Sequence, residues 1–410
     1  MSDRKIQGDL GQGGEHQIDL AGKREMDMKI LHINCNYSNT MLHRKMIEHL
    51  NAFQVDSSVY VPVYESEGVD VTTEGAEVIL SRCFRKWHRV CFDYKQSRIF
   101  RDIQSKCNVA DFECIHAYTL FTDGNCARRL SRKYHIPYVV AVRSTDVNVF
   151  FRKAFYLRGR GVQILRDAAA VFFLSESYRT CVLEQYVPEP YRREIYAKSH
   201  IIPNGVDDFW LQNRYMDRLQ TIEETKAALR NKRLKVIFAG LINARKNPLA
   251  TQEALEILRQ KGWSVSFTAV GKIQDKNLYE RMISYPDTHY VSQQPKEKLL
   301  DYYRECDLFV MPSHTETFGQ VYSEALSQGL PVLYTKGQGF DGQFPEGEVG
   351  FAVDDRNPSD IADKIEMAAE QYERLAVNAL QQIGKFDWED ICGRYKGIYE
   401  EIIGKSAGRA

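Results

Sequence analysis

Several features are scarce in this 410-residue chain, and each scarcity removes a class of protein. No apolar run comes near the roughly 18 residues that a membrane-crossing helix needs. The longest, Ile136–Val142 and Ala168–Leu174, have the length of buried strands. The nine cysteines are odd in number and form no Cys-x-x-Cys pair. They therefore spell neither a disulfide scaffold nor a structural zinc site. With no secretory leader recognisable, reduced thiols in a cytoplasmic setting are the expectation. An excess of charge is missing too. Lys+Arg and Asp+Glu number 55 each, so there is no basic footprint for nucleic acid.

What is present is ordinary in bulk and uneven in detail. Apolar content of 43% and charged content of 27% suit a well-packed chain of two to three domains. Residues 29–200 carry 25 basic against 18 acidic groups, and residues 201–410 carry 26 against 31, so the halves face different partners. Residues 1–27 are polar, Gly-rich and aperiodic. They read as a mobile extension, or as a leader upstream of a start near Met28.

From Lys29 the chain alternates short apolar runs with helical patterns. Lys29–Asn34 and Ser57–Val63 read as strands, then Cys114–Ala117, a helix over Gly124–Tyr134, and the strands Tyr138–Val142 and Ala170–Leu174. Charge-rich residues 204–231 read as a connection. The alternation then restarts with strands at Leu234–Ala239, Val265–Val270, Leu308–Met311 and Pro331–Tyr334. The pattern predicts an α/β chain of two Rossmann-like, doubly wound parallel-sheet domains facing a cleft, over 28–204 and 205–385. Ligands of such sheets sit beyond the carboxyl ends of the strands.

The densest chemistry lies in 308–332. After an apolar strand, Pro312-Ser313 leads into a loop with Glu316, and a helix opening near Phe318-Gly319 carries Glu324. A helix start offers free N–H groups to an anion. Arg245 and Lys246, in the loop that begins at Gly240, can offset two carboxylates and clamp a diphosphate. Either feature alone is usually a solvated surface. Their order, with the Gly329-Leu-Pro-Val332 exit, is far more specific.

The motif Ser313-x-x-Glu316-x-Phe-Gly319…Glu324-Ala…Gly329-x-Pro-Val332 resembles the Glu-x7-Glu signature of family 4 retaining glycosyltransferases of the GT-B fold. Ile202-Pro-Asn-Gly-Val-Asp207 resembles the family's domain-junction loop. Phe386-Asp-Trp388 resembles the start of its last helix, which here would run over 386–403 and pack back on the first domain. The resemblance implies a nucleotide-sugar donor held by Gly240, Arg245, Lys246, Thr317, Phe318, Gly319 and Glu324. In it Glu324 binds the ribose, and Glu316 is a catalytic carboxylate at the donor sugar. No cofactor or metal is expected, since the chain has no Asp-x-Asp to hold a divalent ion.

The other half is less decided. Where the family commonly shows His-Gly-Ser/Thr-Asp, this chain has Arg143-Ser144-Thr145-Asp146. Asp146 matches, and is either a second catalytic carboxylate or a partner of Arg143 or a helix cap. Arg143 in place of histidine could read an anion. His116 is either a cleft contact or a core histidine. Asn36 and Ser38 either bind a sugar or phosphate or cap the following helix. Residues 82–106 hold eight Lys/Arg, two Asp and interleaved aromatics. They are either a peripheral contact with an anionic membrane, suited to a glycan or lipid-linked acceptor on the inner face of the plasma membrane, or a solvated helix face. A phosphorylase or nucleotide-sugar epimerase on the same fold, and a degenerate partner subunit, are the alternatives to a glycosyltransferase.

Overall fold

The computed structural model describes residues 28–65, 73, 75–89 and 91–408; the extension over 1–27 lies outside them. The first half contributes strands β1 Met28–Ile33, β2 Val55–Tyr64, β3 Glu77–Phe84, β4 Cys114–Ala117, β5 Tyr138–Val142, β6 Ala170–Phe173 and β7 Ser199–Ile201. They form one all-parallel sheet in the order β3-β2-β1-β4-β5-β6-β7. The second half contributes β8 Arg233–Ala239, β9 Ser264–Val270, β10 Thr288–Val291, β11 Leu308–Met311, β12 Val332–Thr335 and β13 Gly350–Val353. These are also parallel, in the order β10-β9-β8-β11-β12-β13. The fold is thus the double Rossmann-like arrangement that the alternation predicts.

Strands such as Tyr138–Val142 and Leu308–Met311 are buried at every residue, because helices cover both faces of a parallel sheet. Helix ends carry local signals. Thr40 Oγ1 accepts the Leu42 N–H at 3.1 Å to start the helix Met41–Ala52, and Asp275 Oδ1 accepts Leu278 N–H at 3.1 Å ahead of Lys276–Ile283.

Strand order locates the sites. In the first sheet the winding reverses between β1 and β4, and in the second between β8 and β11. At each reversal the two neighbouring loops part and leave a crevice at the carboxyl edge.

Three segments differ from their sequence reading. Residues 204–231 hold two helices, Asp208–Gln212 and Arg218–Arg230, which belong to the second domain's core through Trp210, Ile222 and Leu229. Arg218 is buried with them and donates to the carbonyls of Gln328 and Cys306 at 2.9 Å each, so its charge does not mark an exposed linker. The 82–106 stretch is not one amphipathic element. Arg82–Phe84 finish β3, and the helix Phe92–Lys106 turns Gln96, Ile99 and Ile103 into the core. The helix carrying Glu324 begins at Gln320, after Gly319 at φ +79°, a left-handed value that favours glycine.

The last helix, Trp388–Ala407, crosses back. Trp388, Ile391, Cys392, Tyr395 and Tyr399 pack against Ile30, Val59, Val139 and Phe172 on one face of the first sheet. At the junction the Trp388 ring lies against Gly205, where an added Cβ would meet ring atoms at 2.3 Å. Trp388→Ala removes the ring that seals this seam. It is expected to cost about 3–5 kcal/mol, read as a lower guanidinium midpoint.

Candidate active site

The loop after β8 and the loop after β11 face each other across the second sheet's reversal. Glu316, almost fully buried, sits between two cations. Lys246 Nζ contacts its carboxylate directly, and Arg245 Nη1 lies 3.9 Å from the same oxygen. The other oxygen accepts the Thr317 N–H at 3.1 Å. Lys246 is itself buried, whereas Arg245 is half-exposed and also donates to the Thr315 carbonyl at 2.9 Å. A buried carboxylate is tolerable here because two cations and an amide hold it. The pair keeps unused capacity, since an ammonium has three donors and a guanidinium five.

The frame around this pair is rigid. The Glu316 amide donates to Gln338 Oε1 at 3.0 Å, and its carbonyl accepts the Gly339 N–H at 3.0 Å. The same carbonyl accepts Tyr178 O–H at 3.2 Å from the first half of the chain. Ser177 Oγ donates to the Asp341 carbonyl at 2.6 Å, and Gln343 Nε2 to the Leu174 carbonyl at 2.6 Å. The carboxyl edge of β6 and the donor loop are therefore bolted together.

Glu324 lies one turn into its helix, half-buried, accepting Tyr303 O–H at 3.2 Å. Burial pushes its pKa up to about 7, and Asp207 adds to the rise, while the Tyr303 hydrogen bond and Lys246 oppose it. Near neutral pH this carboxyl is poised between two forms, and only the ionised one is a pure acceptor for two hydroxyls.

At the first sheet's reversal lies a cavity of about 660 Å³. Asn36 and Ser38 after β1, Tyr64 ending β2, Phe84 ending β3, Thr119 after β4, and Thr145 and Asp146 after β5 all line it. Phe92 and Lys95 from the first turn of Phe92–Lys106, and Val149, Phe150 and Tyr156, complete the wall. Lys95 Nζ lies 4.2 Å from the Phe84 ring centroid. The lining is divided about evenly between aromatic and aliphatic side chains and hydroxyl, amide and charged groups.

The structure brings Gly240, Arg245, Lys246, Glu316, Thr317, Gly319 and Glu324 to one crevice, and it puts Asn36, Ser38 and Asp146 on the cavity. Phe318 is different: it is buried, with its ring packed on Phe340 and Phe386. His116 does not reach the cleft. It is fully buried inside β4, with Nδ1 2.6 Å from Tyr399 O–H and its ring stacked on Tyr118, and burial holds its pKa well below the usual value. Arg143 ties the loop after β5 to the end of the first domain, donating to Asn204 Oδ1 at 3.1 Å and the Tyr118 carbonyl at 3.4 Å. Asp146 accepts three backbone N–H groups, from Leu120, Phe121 and Arg143, at 2.9 to 3.1 Å. Burial nevertheless pushes its pKa up to about 6. Its geometry is that of a loop anchor that shapes the cavity.

Tyr64, Phe84, Phe92, Lys95 and Tyr156 were not singled out as site residues from the sequence. They come from separate segments and carry no shared motif. Tyr64 and Phe84 end strands, Phe92 and Lys95 lie in the first turn of a helix, and Tyr156 lies in a short helical turn.

Two family models match this chain. "Glycosyl transferase 4-like domain" covers residues 42–196, and "Glycosyl transferases group 1" covers residues 220–382. One falls on each sheet, and the chain belongs to the family 4 glycosyltransferases of the GT-B fold. Among curated relatives, a D-inositol 3-phosphate glycosyltransferase of Paenarthrobacter aurescens is 30% identical over 41% of this chain and 44% of that protein. The capsular polysaccharide biosynthesis glycosyltransferase CapM of Staphylococcus aureus is 27% identical over 45% of this chain and 51% of that protein. The chain thus spans about half the length, or less, of the curated relatives it matches. Sucrose-phosphate synthase from Thermosynechococcus elongatus superimposes with a TM-score of 0.70 at 16% identity, covering 92% of this chain and all of that one. Anabaena HepE, in complex with UDP-glucose, does so with a TM-score of 0.61 at 14% identity, covering 93% and 100%. These two likenesses concern the fold.

Because the folded Glu324 holds its proton up to about pH 7 while the unfolded side chain loses it near 4.5, its contribution to stability is complete below about pH 4.5. That contribution is lost as the pH rises to 7. Glu324→Gln cannot ionise and escapes the loss. Urea midpoints at pH 5 and pH 8 are expected to show the variant gaining on the wild type toward pH 8.

Proposed function

We propose that this protein moves a sugar from a nucleotide diphosphate sugar to a hydroxyl of a glycan or lipid-linked saccharide, with retention of anomeric configuration. The observation that carries the reading is Glu316 held between Lys246 and Arg245 at the reversal of the second sheet. The donor would lie along that crevice, with its ribose at Glu324 and its diphosphate against Lys246, Arg245 and the amides of Thr317–Gly319. The acceptor would enter from the cavity that Asn36 and Ser38 line.

In the reaction, the bond from the anomeric carbon to the diphosphate oxygen breaks and the acceptor oxygen forms the new bond on the same face. The acceptor proton leaves on the departing diphosphate, so no separate general base is required. Negative charge grows on the leaving group, and preorganised cations and amides stabilise it without reorganising. Lys246 can serve Glu316 and a phosphate oxygen together, which keeps the carboxylate beside the sugar ring while the diphosphate departs. A divalent metal is then unnecessary. Retention rests on membership of the family. The names of CapM and of the inositol phosphate relatives support sugar transfer, and the UDP-glucose bound to HepE supports a nucleotide diphosphate sugar as donor.

Calorimetric titration of UDP, GDP and ADP without metal tests the donor site. One of them is expected to bind at micromolar concentration, and about tenfold or more weaker to Glu324→Ala. If none binds, the donor reading is wrong. With that nucleotide's sugars, Glu316→Gln and Lys246→Met are expected to lower kcat by about a hundredfold or more, with the circular dichroism spectrum of the fold retained. A normal rate in either variant refutes the assignment. Sugar phosphate release that depends on inorganic phosphate would make the protein a phosphorylase, and interconversion of the donor without acceptor would make it an epimerase.

A further inference from the structure

The mouth of the cavity in the first domain carries an unusual concentration of exposed aromatic surface. Among the described residues five large aromatics are exposed, and four of them are Trp87, Tyr94, Phe155 and Tyr156, at 59%, 44%, 70% and 70%. Val149, 45% exposed, stands with them. Two short segments, 87–94 and 149–156, hold all five of these residues, which is not the scatter expected of stray surface apolar groups.

The segments meet at the cavity. Trp87 stacks on Tyr94 with ring centroids 5.9 Å apart, one position before the Lys95 that lines the wall. Phe92, in the same turn, packs edge-on against Phe150 at 5.9 Å, and Phe150, Val149 and Tyr156 line the opposite wall. Phe155 and Tyr156 lie edge to face at 6.2 Å. The two aromatic pairs therefore flank one opening.

Charge around this rim is mainly basic, and its acids Asp93 and Glu65 are each paired with arginine. Residues 149–160 contain four arginine or lysine residues and no acid, and Arg152 and Lys153 stand exposed three and two residues before Phe155. Across the opening, Asp93 is held by Arg160, and the Arg160 guanidinium lies 5.4 Å from the Phe92 ring centroid. The surrounding half of the chain carries the 25-to-18 basic excess.

We propose that this rim docks on an anionic lipid bilayer, so that the cavity opens into the interfacial zone of a membrane. Trp and Tyr, amphipathic rings with a polar tip, favour that zone, and exposed Arg and Lys are drawn to anionic headgroups. The aromatic ring is interrupted by the cavity itself. That suits a fluid surface into which single side chains dip, and it denies a protein partner a continuous dry patch. The contact differs from an amphipathic helix lying flat, because the apolar stripe of Phe92–Lys106 is spent on the core. Nor is it a span, since among the described residues no helix is long and apolar enough to cross a membrane. The docking face stands apart from the donor crevice and does not require the sugar-transfer reading.

Flotation of the full chain with phosphatidylglycerol-rich vesicles, at low salt, tests it. The wild type is expected to float with these vesicles, and Trp87→Ser/Phe155→Ser, which removes two exposed rings that do not line the cavity, to float at least fivefold less. Met216→Ser/Ile283→Ser, exposed apolar residues elsewhere, is expected to float like the wild type. The proposal falls if the wild type stays in the soluble fraction, or if the Trp87/Phe155 double variant floats as well as the wild type. Titrating UDP, GDP and ADP into the same proteins keeps the readings apart. Unchanged nucleotide binding beside lost flotation places the defect on the rim. A wild type that floats but binds no nucleotide would retain the docking face and lose the donor site.

Discussion

Both halves of this protein obey one constraint. In an all-parallel sheet every strand runs the same way, so every strand-to-helix loop emerges at a single edge. That places the Gly240–Lys246 loop and the Pro312–Gly319 loop side by side, although about 70 residues separate Lys246 from Glu316 in the chain. It likewise gathers Asn36, Tyr64, Phe84, Thr119 and Asp146 from five successive strand ends into one cavity. A strand of opposite direction in either sheet would carry its residues to the far side of the domain.

The Lys246–Glu316 contact follows from that geometry and brings a cost. Both groups are buried, and the attraction between them must offset the removal of two charges from water. Such a pair is weak evidence for stability, because apolar residues of the same volume often fold as well. Its value lies in holding a cation with spare donors at a fixed place. The loops are braced from outside by Tyr178 and Gln338, so the position of the pair depends on contacts from both halves of the chain.

The interior strands and the edges of the sheets were not equally legible in the sequence. Interior strands such as β5, β8 and β11 are covered on both faces and read as apolar runs. The strands that escaped are the four edges. β3, β7 and β10 are only partly buried, and β13 is a four-residue strand opening with Gly350. The donor residues were legible because they sit in two contiguous loops whose residue order carries the chemistry. The cavity was not, because its walls come from separate segments, one of them the edge strand β3. His116 shows the limit of reading a strand end. It lies within β4, one residue before its end, and its side chain faces the last helix and not the loops. Arg143 and Asp146 sit where expected, yet their hydrogen bonds go to the backbone and to Asn204, which no spacing of residue types reveals.

The returning helix has a consequence for how this protein is made. One face of the first sheet is closed by Trp388, Ile391, Tyr395 and Tyr399, and the His116–Tyr399 contact joins residues 283 positions apart. On the ribosome the first domain therefore emerges with an apolar face uncovered, and waits for the whole second domain to be translated before its own wall arrives. The usual order, in which the N-terminal domain completes itself first, is suspended here. Until then Ile30, Val59 and Phe172 lack the helix that covers them, and a nascent chain stalled before residue 388 leaves that part of the face open.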